Sequence, residues 1–143
     1  MTNSVTQAAE LVASDFKSGS NREKLELLLE YSENLPALPE RYAEHPDLFE
    51  RVEECQSPVY LFVEVESGLV NLFFTAPAEA PTTRGFASIL HELLDGQTVA
   101  DVLAFDDDYP SRLGLLEAVS ALRLRGMSGM LRRIKRQVSD KAA

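Results

Sequence analysis

Residues 52–63 read VEECQSPVYLFV, and this stretch holds the single cysteine of the chain, Cys55. A polar, turn-prone segment runs into the cysteine, and an apolar run rich in β-branched and aromatic residues begins at Val59. A thiol at the junction of a loop and a strand can be presented to a partner while a rigid element holds it. We therefore take Cys55 as the candidate working group.

The same stretch opens a predicted β-hairpin. Residues 59–66 and 69–75 are both rich in strand-forming side chains, and Ser67-Gly68 supplies the turn between them. Two strands alone are marginally stable in water, so the hairpin must pack on helices or recruit a third strand. The sequence therefore predicts an α+β fold, with a small antiparallel sheet packed against several helices.

Apolar periodicity and capping residues predict the helices around this hairpin. The predicted helices are an N-terminal one over about 4–16, one opened by a Ser20–Glu23 capping box, one over about 82–95 ending near Gly96, short ones over 99–105 (capped by Thr98) and 112–119, and a long terminal one beginning at Ser120. Residues 36–54 form a long, poorly periodic connection. We expect one domain over residues 1–143, with its core over about 22–138.

Composition limits the possible function classes. The 143 residues carry a formal net charge of −9, yet seven of the 14 basic residues lie at or after Arg123, together with a single acid. An acidic body argues against nucleic-acid binding, which needs a basic face to neutralise phosphates. No apolar run is long enough to cross a bilayer and no signal peptide is visible, so we expect no membrane association and a cytoplasmic location.

Several other interpretations of these residues stay open. A free cysteine is by default an inert packed thiol. A Cys/His thiol hydrolase would need a base, and only His45 and His91 are available. One cysteine and two scattered histidines do not form a metal-ligand set, so we expect no bound metal. The turn at 106–108 is more simply a solvated turn than a cation site, and the basic last helix is either a docking face or a solvated helix.

The segment Cys55-Gln56-Ser57-Pro58-Val59-Tyr60 resembles the motif Gly-Cys-Gln-Ser-x-Val-Trp, which surrounds the persulfide-forming cysteine of the SufE family of sulfur-acceptor proteins. Further matches keep the family's order and similar spacing over about residues 22–138. They are Leu-Pro-Ala-Leu-Pro at 35–39, Thr-Arg-Gly at 83–85, Leu-Gly-Leu at 113–115 and Ser-Ala-Leu-Arg-Leu-Arg-Gly-Met at 120–127. Glu54 stands where the family has glycine, Tyr60 where it has tryptophan and Ala121 where it has proline.

The resemblance implies a sulfur relay. Cys55 would take persulfide sulfur from a PLP-dependent, SufS-type cysteine desulfurase, stimulate that enzyme, and pass the sulfur to an iron–sulfur scaffold complex. The PLP belongs to the desulfurase, so no cofactor is expected on this chain beyond a transient persulfide. The resemblance also implies a small sheet covered by helices, with the cysteine at a loop tip. Glu54, Gln56 and Ser57 would form the supporting loop.

Two further residues carry predicted roles. Arg123 matches the family's arginine and Arg84 lies in its basic-Gly pair, so the resemblance implies docking or activation for both; an ordinary surface ion pair is the competing interpretation of Arg123. Glu50, Glu53 and Glu54 lie near Cys55 in sequence and oppose its ionisation. We therefore expect a resting thiol that is unreactive until a partner docks.

A persulfide with no internal thiol to resolve it must be shielded, so we expect the thiol to tuck toward the start of the hairpin near Val59 and Leu61. The contrasting hypothesis from another class is a non-catalytic adaptor that binds a desulfurase and has lost the chemistry.

Overall fold

The computed structural model describes residues 4–142. Its helices are α1 (Ser4–Lys17), α2 (Asn21–Glu33), α3 (Glu40–Ala43), α4 (Pro81–Leu94), α5 (Val99–Ala104), α6 (Tyr109–Arg112), α7 (Leu116–Val119) and α8 (Ala121–Ala142), with a 3-10 turn at Pro46–Leu48. Its strands are β1 (Glu50–Arg51), β2 (Tyr60–Glu66) and β3 (Leu69–Thr75). The predicted α+β fold is confirmed.

The three strands form one antiparallel sheet in the order β1-β2-β3. The predicted hairpin is present, and Ser67 and Gly68 both take positive φ, 55° and 78°, as a two-residue hairpin turn of type I′ requires. The third strand comes from Glu50–Arg51, inside the connection over residues 36–54 that showed no clear period. Two residues are too few to leave a strand pattern in sequence.

Alternation along β2 and β3 gives the sheet two different faces. The inner face is buried against the helices and consists of Leu61, Val63, Val70, Leu72 and Phe74. The outer face carries Phe62 and Phe73, and Tyr42 from α3 packs on both rings with centroid distances of 5.1 and 4.8 Å. Phe49 adds a further ring contact with Phe62. The connection over 36–49 is therefore a thin covering layer on this face.

Helix α8 packs across the sheet, and this packing brings its basic residues to the β1 edge. Its buried stripe includes Met127, Met130, Ile134 and Val138. The buried Gln137 accepts a hydrogen bond from the Val63 amide at 3.0 Å and donates one to Glu50 at 2.9 Å. These bonds fix the rotation of α8 relative to β1 and β2.

The contact between α2 and α4 depends on a glycine. A Cβ added at Gly85 would lie 2.7 Å from the Leu28 carbonyl oxygen, so only glycine permits this backbone approach. The neighbouring Arg84 donates to the carbonyl oxygens of Ser32 at 2.8 Å and Ala76 at 2.7 Å. Together these contacts join the end of α2, the exit of β3 and the start of α4.

One predicted helix is wrong. The sequence predicts a continuous helix over 112–119, but α6 ends at Arg112 and α7 begins at Leu116, with Gly114 between them at φ 65°. Ser120 then takes φ 93° and ψ 153°, a region normally restricted to glycine. Its hydroxyl accepts only a long bond, 3.4 Å, from the Arg123 amide, so the predicted N-cap is weak.

The capping box over Ser20–Glu23 is present in both directions. Thr98 caps α5 by accepting from the Asp101 amide at 3.1 Å. Gly96 has φ 80° just after α4, as predicted for a left-handed residue at a helix end. Among residues 4–142, none of the helices is both long and apolar enough for a bilayer crossing.

Candidate functional site

Cys55 lies on the loop that connects β1 to β2. The Val52 amide donates to the Val59 carbonyl at 2.9 Å, which closes the loop directly after the last paired residues of the two strands. Within the loop, the Cys55 amide donates to the Val52 carbonyl at 3.1 Å and forms a tight turn. The sheet therefore holds both ends of the cysteine loop, residues 52–59, and leaves its middle free of strand pairing.

The thiol is buried, with 6% of the residue exposed. It packs on Gly126 of α8 so closely that a Cβ there would lie 2.8 Å from Cys55 Sγ. The sequence predicted burial toward Val59 and Leu61 and gave no indication of this contact with the last helix. Gly126 is the glycine of the Ser-Ala-Leu-Arg-Leu-Arg-Gly-Met segment at 120–127, which is among the matches to the family, and the structure shows why a side chain would not fit there.

Glu54 fastens the same loop to α8 by ion pairs. Its two carboxylate oxygens accept from Arg132 Nη2 at 2.5 Å and from Arg133 Nη1 at 2.6 Å. Its carboxylate also packs on Gly129, where an added Cβ would lie 2.7 Å from Glu54 Cδ. The glutamate that replaces the family's glycine thus adds an anchor to the loop.

A second carboxylate extends this charged cluster. Glu50 of β1 pairs with Arg136 and lies 3.4 Å from Arg133 Nε. Burial disfavours ionisation of Glu50 and Glu54, but hydrogen bonds and the nearby arginines together outweigh it and lower the pKa of both carboxyls. Gln137 contributes such a bond at Glu50, and the backbone of Glu54 contributes one at Glu54. Arg132, Arg133 and Arg136 are therefore engaged within the chain, which neither prediction for the basic last helix anticipated.

The environment of Cys55 favours the neutral thiol. Burial raises its pKa, the Glu54 carboxylate raises it further, and Arg133 partly opposes both, which leaves the pKa at about 11. An unperturbed thiol ionises near pH 8.5, so the folded protein holds far less thiolate at neutral pH than a free cysteine. The pKa of Cys55 is raised, as its acidic neighbours in sequence indicated. Burial, however, raises it more than the Glu54 carboxylate does, and the sequence indicated only the acids.

The buried thiol still borders a surface cleft of about 230 Å³. The lining residues come from the cysteine loop, the start of α4 and the start of α8: Glu54, Cys55, Gln56, Ser57, Glu79, Ala80, Pro81, Thr82, Thr83, Leu122 and Arg123. The structure thus brings Cys55, the supporting-loop residues and Arg123 together at one cleft, while their roles stay predictions. The cleft is therefore the candidate route from solvent to the sulfur.

The two predicted docking arginines have different surroundings. Arg123 is exposed at the cleft, and within residues 4–142 no carboxylate lies within 4.0 Å of its guanidinium, so the surface ion pair considered as its competing interpretation is not present. Arg84 is partly buried and bonded to two backbone carbonyls, and it does not line the cleft. Its observed contacts are structural, and a docking role for Arg84 stays a prediction.

Neither histidine reaches the thiol. His45 and His91 are absent from the cleft lining, and His91 lies instead 3.7 Å from Asp95 on α4. Two of the three acids in the 106–108 turn are also engaged, since Asp106 pairs with Arg112 and Asp107 with Lys135 at 2.7 Å. Within the described residues no three potential metal-ligating side chains cluster. A thiol hydrolase lacks its base in this arrangement.

Sequence reasoning missed Arg132, Arg133 and Gly129 as parts of the site. A signal did exist in hindsight: Gly126 and Gly129 are three residues apart, a spacing that places both on one face of a helix. Two glycines on one face indicate a close approach by another segment, here the cysteine loop.

These features define a small α+β protein with one shielded thiol, held on a strand-connecting loop at the edge of a cleft. Comparison with known proteins agrees with this class. Residues 10–138 match the SufE family, described as the Fe-S metabolism associated domain. The chain belongs to the SufE family and has a role in iron–sulfur metabolism.

Individual relatives extend the match. An uncharacterized SufE-like protein of Mycobacterium tuberculosis is 53% identical over 130 residues, which cover 90% of each chain. SufE-like protein 1, chloroplastic/mitochondrial, of Arabidopsis thaliana is 28% identical over 80% of this chain and 30% of its own length. The solution structure of a hypothetical protein from Thermus thermophilus superimposes with a TM-score of 0.80 at 35% identity, covering 94% of this chain and 96% of that one.

Proposed function

We propose that this protein is a sulfur acceptor and relay that takes persulfide sulfur from a PLP-dependent cysteine desulfurase onto Cys55. The observation that carries the proposal is the position of the only cysteine, at the edge of a cleft and on a loop whose middle is not paired to the sheet. The family's part in iron–sulfur metabolism supports the same direction. An iron–sulfur scaffold complex is the proposed recipient.

The proposed chemistry is a transpersulfidation. The Cys55 sulfur attacks the outer sulfur of the partner's Cys–S–SH, a new S–S bond forms, and the partner's own S–S bond breaks. The partner's thiolate leaves and takes up the proton that Cys55 gives up, so the products are a Cys55 persulfide and a partner thiol. No external oxidant or reductant is needed.

The resting geometry makes this step dependent on docking. The thiol is protonated and packed on Gly126, and a persulfide adds a second sulfur at about 2.05 Å. That atom does not fit between Sγ and the helix, so the sulfur must face the cleft before it can accept cargo. No second cysteine in the chain can resolve the resulting persulfide into a disulfide, so its sulfur must pass to an external acceptor.

Arg123 is the proposed contact for the partner or its developing thiolate. Its guanidinium is exposed at the cleft and has no carboxylate within 4.0 Å among residues 4–142. A positive charge near a thiol favours the thiolate. Loss of this charge through Arg123→Gln is expected to lower desulfurase stimulation several-fold while folding stability changes by no more than about 0.5 kcal/mol. Unchanged stimulation and unchanged partner affinity would remove Arg123 from the proposal.

The direct test is mass spectrometry of the protein after incubation with a cysteine desulfurase, PLP and cysteine. We expect the peptide that contains Cys55 to gain about 32 Da, the mass of the one sulfur atom that a persulfide adds. Cys55→Ser is expected to abolish both this adduct and the stimulation of the desulfurase while binding persists. A Cys55→Ser variant that stimulates as well as the parent would identify an adaptor instead of a relay.

A further inference from the structure

Glu54 forms ion pairs with Arg132 and Arg133 that the proposed chemistry does not require. We propose that Glu54 is a positioning residue that latches the cysteine loop against α8 and thereby limits how easily Cys55 can be reached. The inference rests on the proposed function for its biological meaning. The latch itself is a property of the isolated chain and can be measured without a partner.

The contacts place the latch next to the thiol. Glu54 precedes Cys55 directly, and its carboxylate lies between Arg132 and Arg133, one oxygen on each. Charge-assisted bonds of this kind are short and directional, so they fix the orientation of the residue that carries them. Because the next residue is Cys55, holding Glu54 on α8 also directs the cysteine side chain toward that helix.

The surface of α8 is shaped to receive both residues. Cys55 packs on Gly126 and Glu54 packs on Gly129, and an added Cβ at either glycine would lie within 3 Å of the loop residue. A glycine in a helix interior destabilises the helix relative to alanine. Two such glycines on one face therefore lower the stability of α8, and the close packing of the cysteine loop on this face offsets the loss.

The latch can open because water reaches it. The side chains of Glu54 and Arg132 are 26% and 63% exposed, whereas Arg133 is 16% exposed. Ion pairs near the surface are weakened by water and salt, unlike a contact closed by buried apolar side chains. The loop is thus closed at rest by contacts that a docking partner can replace.

A competing explanation assigns Glu54 only a charge effect. Its carboxylate raises the pKa of the Cys55 thiol and Arg133 lowers it, so charge alone predicts opposite results for the two partners. Removal of Glu54 would speed reaction of the thiol, while removal of Arg133 would slow it. A latch predicts that both changes speed the reaction, because either one releases the loop.

The experiment measures the rate at which iodoacetamide alkylates Cys55 in the isolated protein near pH 8. Glu54→Gln, Arg132→Gln and Arg133→Gln are each expected to raise the rate about twofold to fivefold, as loss of a partly exposed ion pair allows. Raising the salt concentration should speed the parent protein and have little effect on Glu54→Gln. Acceleration in all three variants supports the latch.

The matched control is Arg22→Gln, which removes the same charge from an exposed pair with Glu26 on α2. Its alkylation rate is expected to equal that of the parent. Circular dichroism and urea unfolding of every variant separate release of the loop from loss of the fold. A variant that alkylates faster in proportion to its lost global stability counts against the latch.

A slower rate in Arg133→Gln, or an unchanged rate in Arg132→Gln, overturns the latch and leaves the charge effect alone. Failure of the proposed function would look different. Glu54→Gln would then alkylate faster while Cys55 never acquires sulfur from a desulfurase. Conversely, sulfur uptake with unchanged alkylation across the three variants would support the relay without the latch.

Discussion

Two places in this molecule bring backbone and side chains into unusually close contact through glycine, and they are held by different forces. At Gly85, α4 meets the Leu28 backbone of α2, and the surrounding side chains, including Phe86, Ile89 and Leu28 itself, are almost completely buried. At Gly126 and Gly129, α8 meets the cysteine loop, and partly exposed ion pairs hold the contact.

The difference separates a permanent joint from one that can open. Opening the α2–α4 contact would expose large apolar surface, at about 25 cal/mol per Å², so it occurs only with unfolding. Opening the loop contact exchanges ion pairs for hydrated charges and exposes the Cys55 side chain, a much smaller apolar surface, so it costs far less. Cys55 lies at the second kind of contact.

The largest expected effect is that of Gly85→Ala. Its Cβ would lie 2.7 Å from a backbone oxygen of α2, so a helix must move, and we expect a loss of about 2 to 3 kcal/mol in the free energy of unfolding despite the gain in helix propensity. Urea unfolding measures this loss. Alkylation of Cys55 in native buffer should stay unchanged, and a large acceleration would show that the two joints are coupled.

The next effect concerns pH. Burial and then Glu54 raise the Cys55 pKa to about 11, above the value near 8.5 of an unfolded chain. The native state thus keeps a proton that the unfolded chain releases, so this stabilisation is complete below the unfolded pKa and is lost as pH rises toward the folded one.

The stability difference between the parent and Cys55→Ala is therefore expected to shrink by on the order of 2 kcal/mol between about pH 8 and pH 11. Unfolding curves of both proteins over this range provide the measurement, and the alanine variant cancels titration of other groups. A difference that does not change with pH would mean that the thiol ionises normally in the fold.

Gly126→Ala should have a smaller effect on stability and a clear one on reactivity. The added methyl group would meet Cys55 Sγ at 2.8 Å, and the loop must move outward to make room. We expect a net loss of about 1 kcal/mol and a several-fold faster alkylation of Cys55. An unchanged alkylation rate would mean that the helix, not the loop, yields.

The smallest expected effect on stability is that of Gly129→Ala. The added methyl group meets the end of the Glu54 side chain, which can rotate away, and the gain in helix propensity offsets the lost ion pairing. We expect an unfolding free energy within about 0.5 kcal/mol of the parent, with modestly faster alkylation. Destabilisation as large as that of Gly85→Ala would remove the distinction between the two joints.

Much of this arrangement could be predicted from sequence because its signals are local. The hairpin followed from alternating strand formers around Ser67-Gly68, and the capping box followed from Ser20 and Glu23. The split at Gly114 was missed because the apolar spacing over 112–119 suits a helix, while the backbone takes φ 65° there. The sequence left room for a third strand but did not predict its position at Glu50–Arg51, because two residues carry no period.

The sequence by itself determined the class of fold, the single thiol and, through a short motif, the family to which the chain belongs. These depend on residue type, order and local period, which a chain displays before it folds. Only the tertiary structure decided that Cys55 is buried on Gly126 and that Glu54 lies between Arg132 and Arg133. Those pairs are more than 70 residues apart in sequence, so only the packing of α8 across the sheet brings them together.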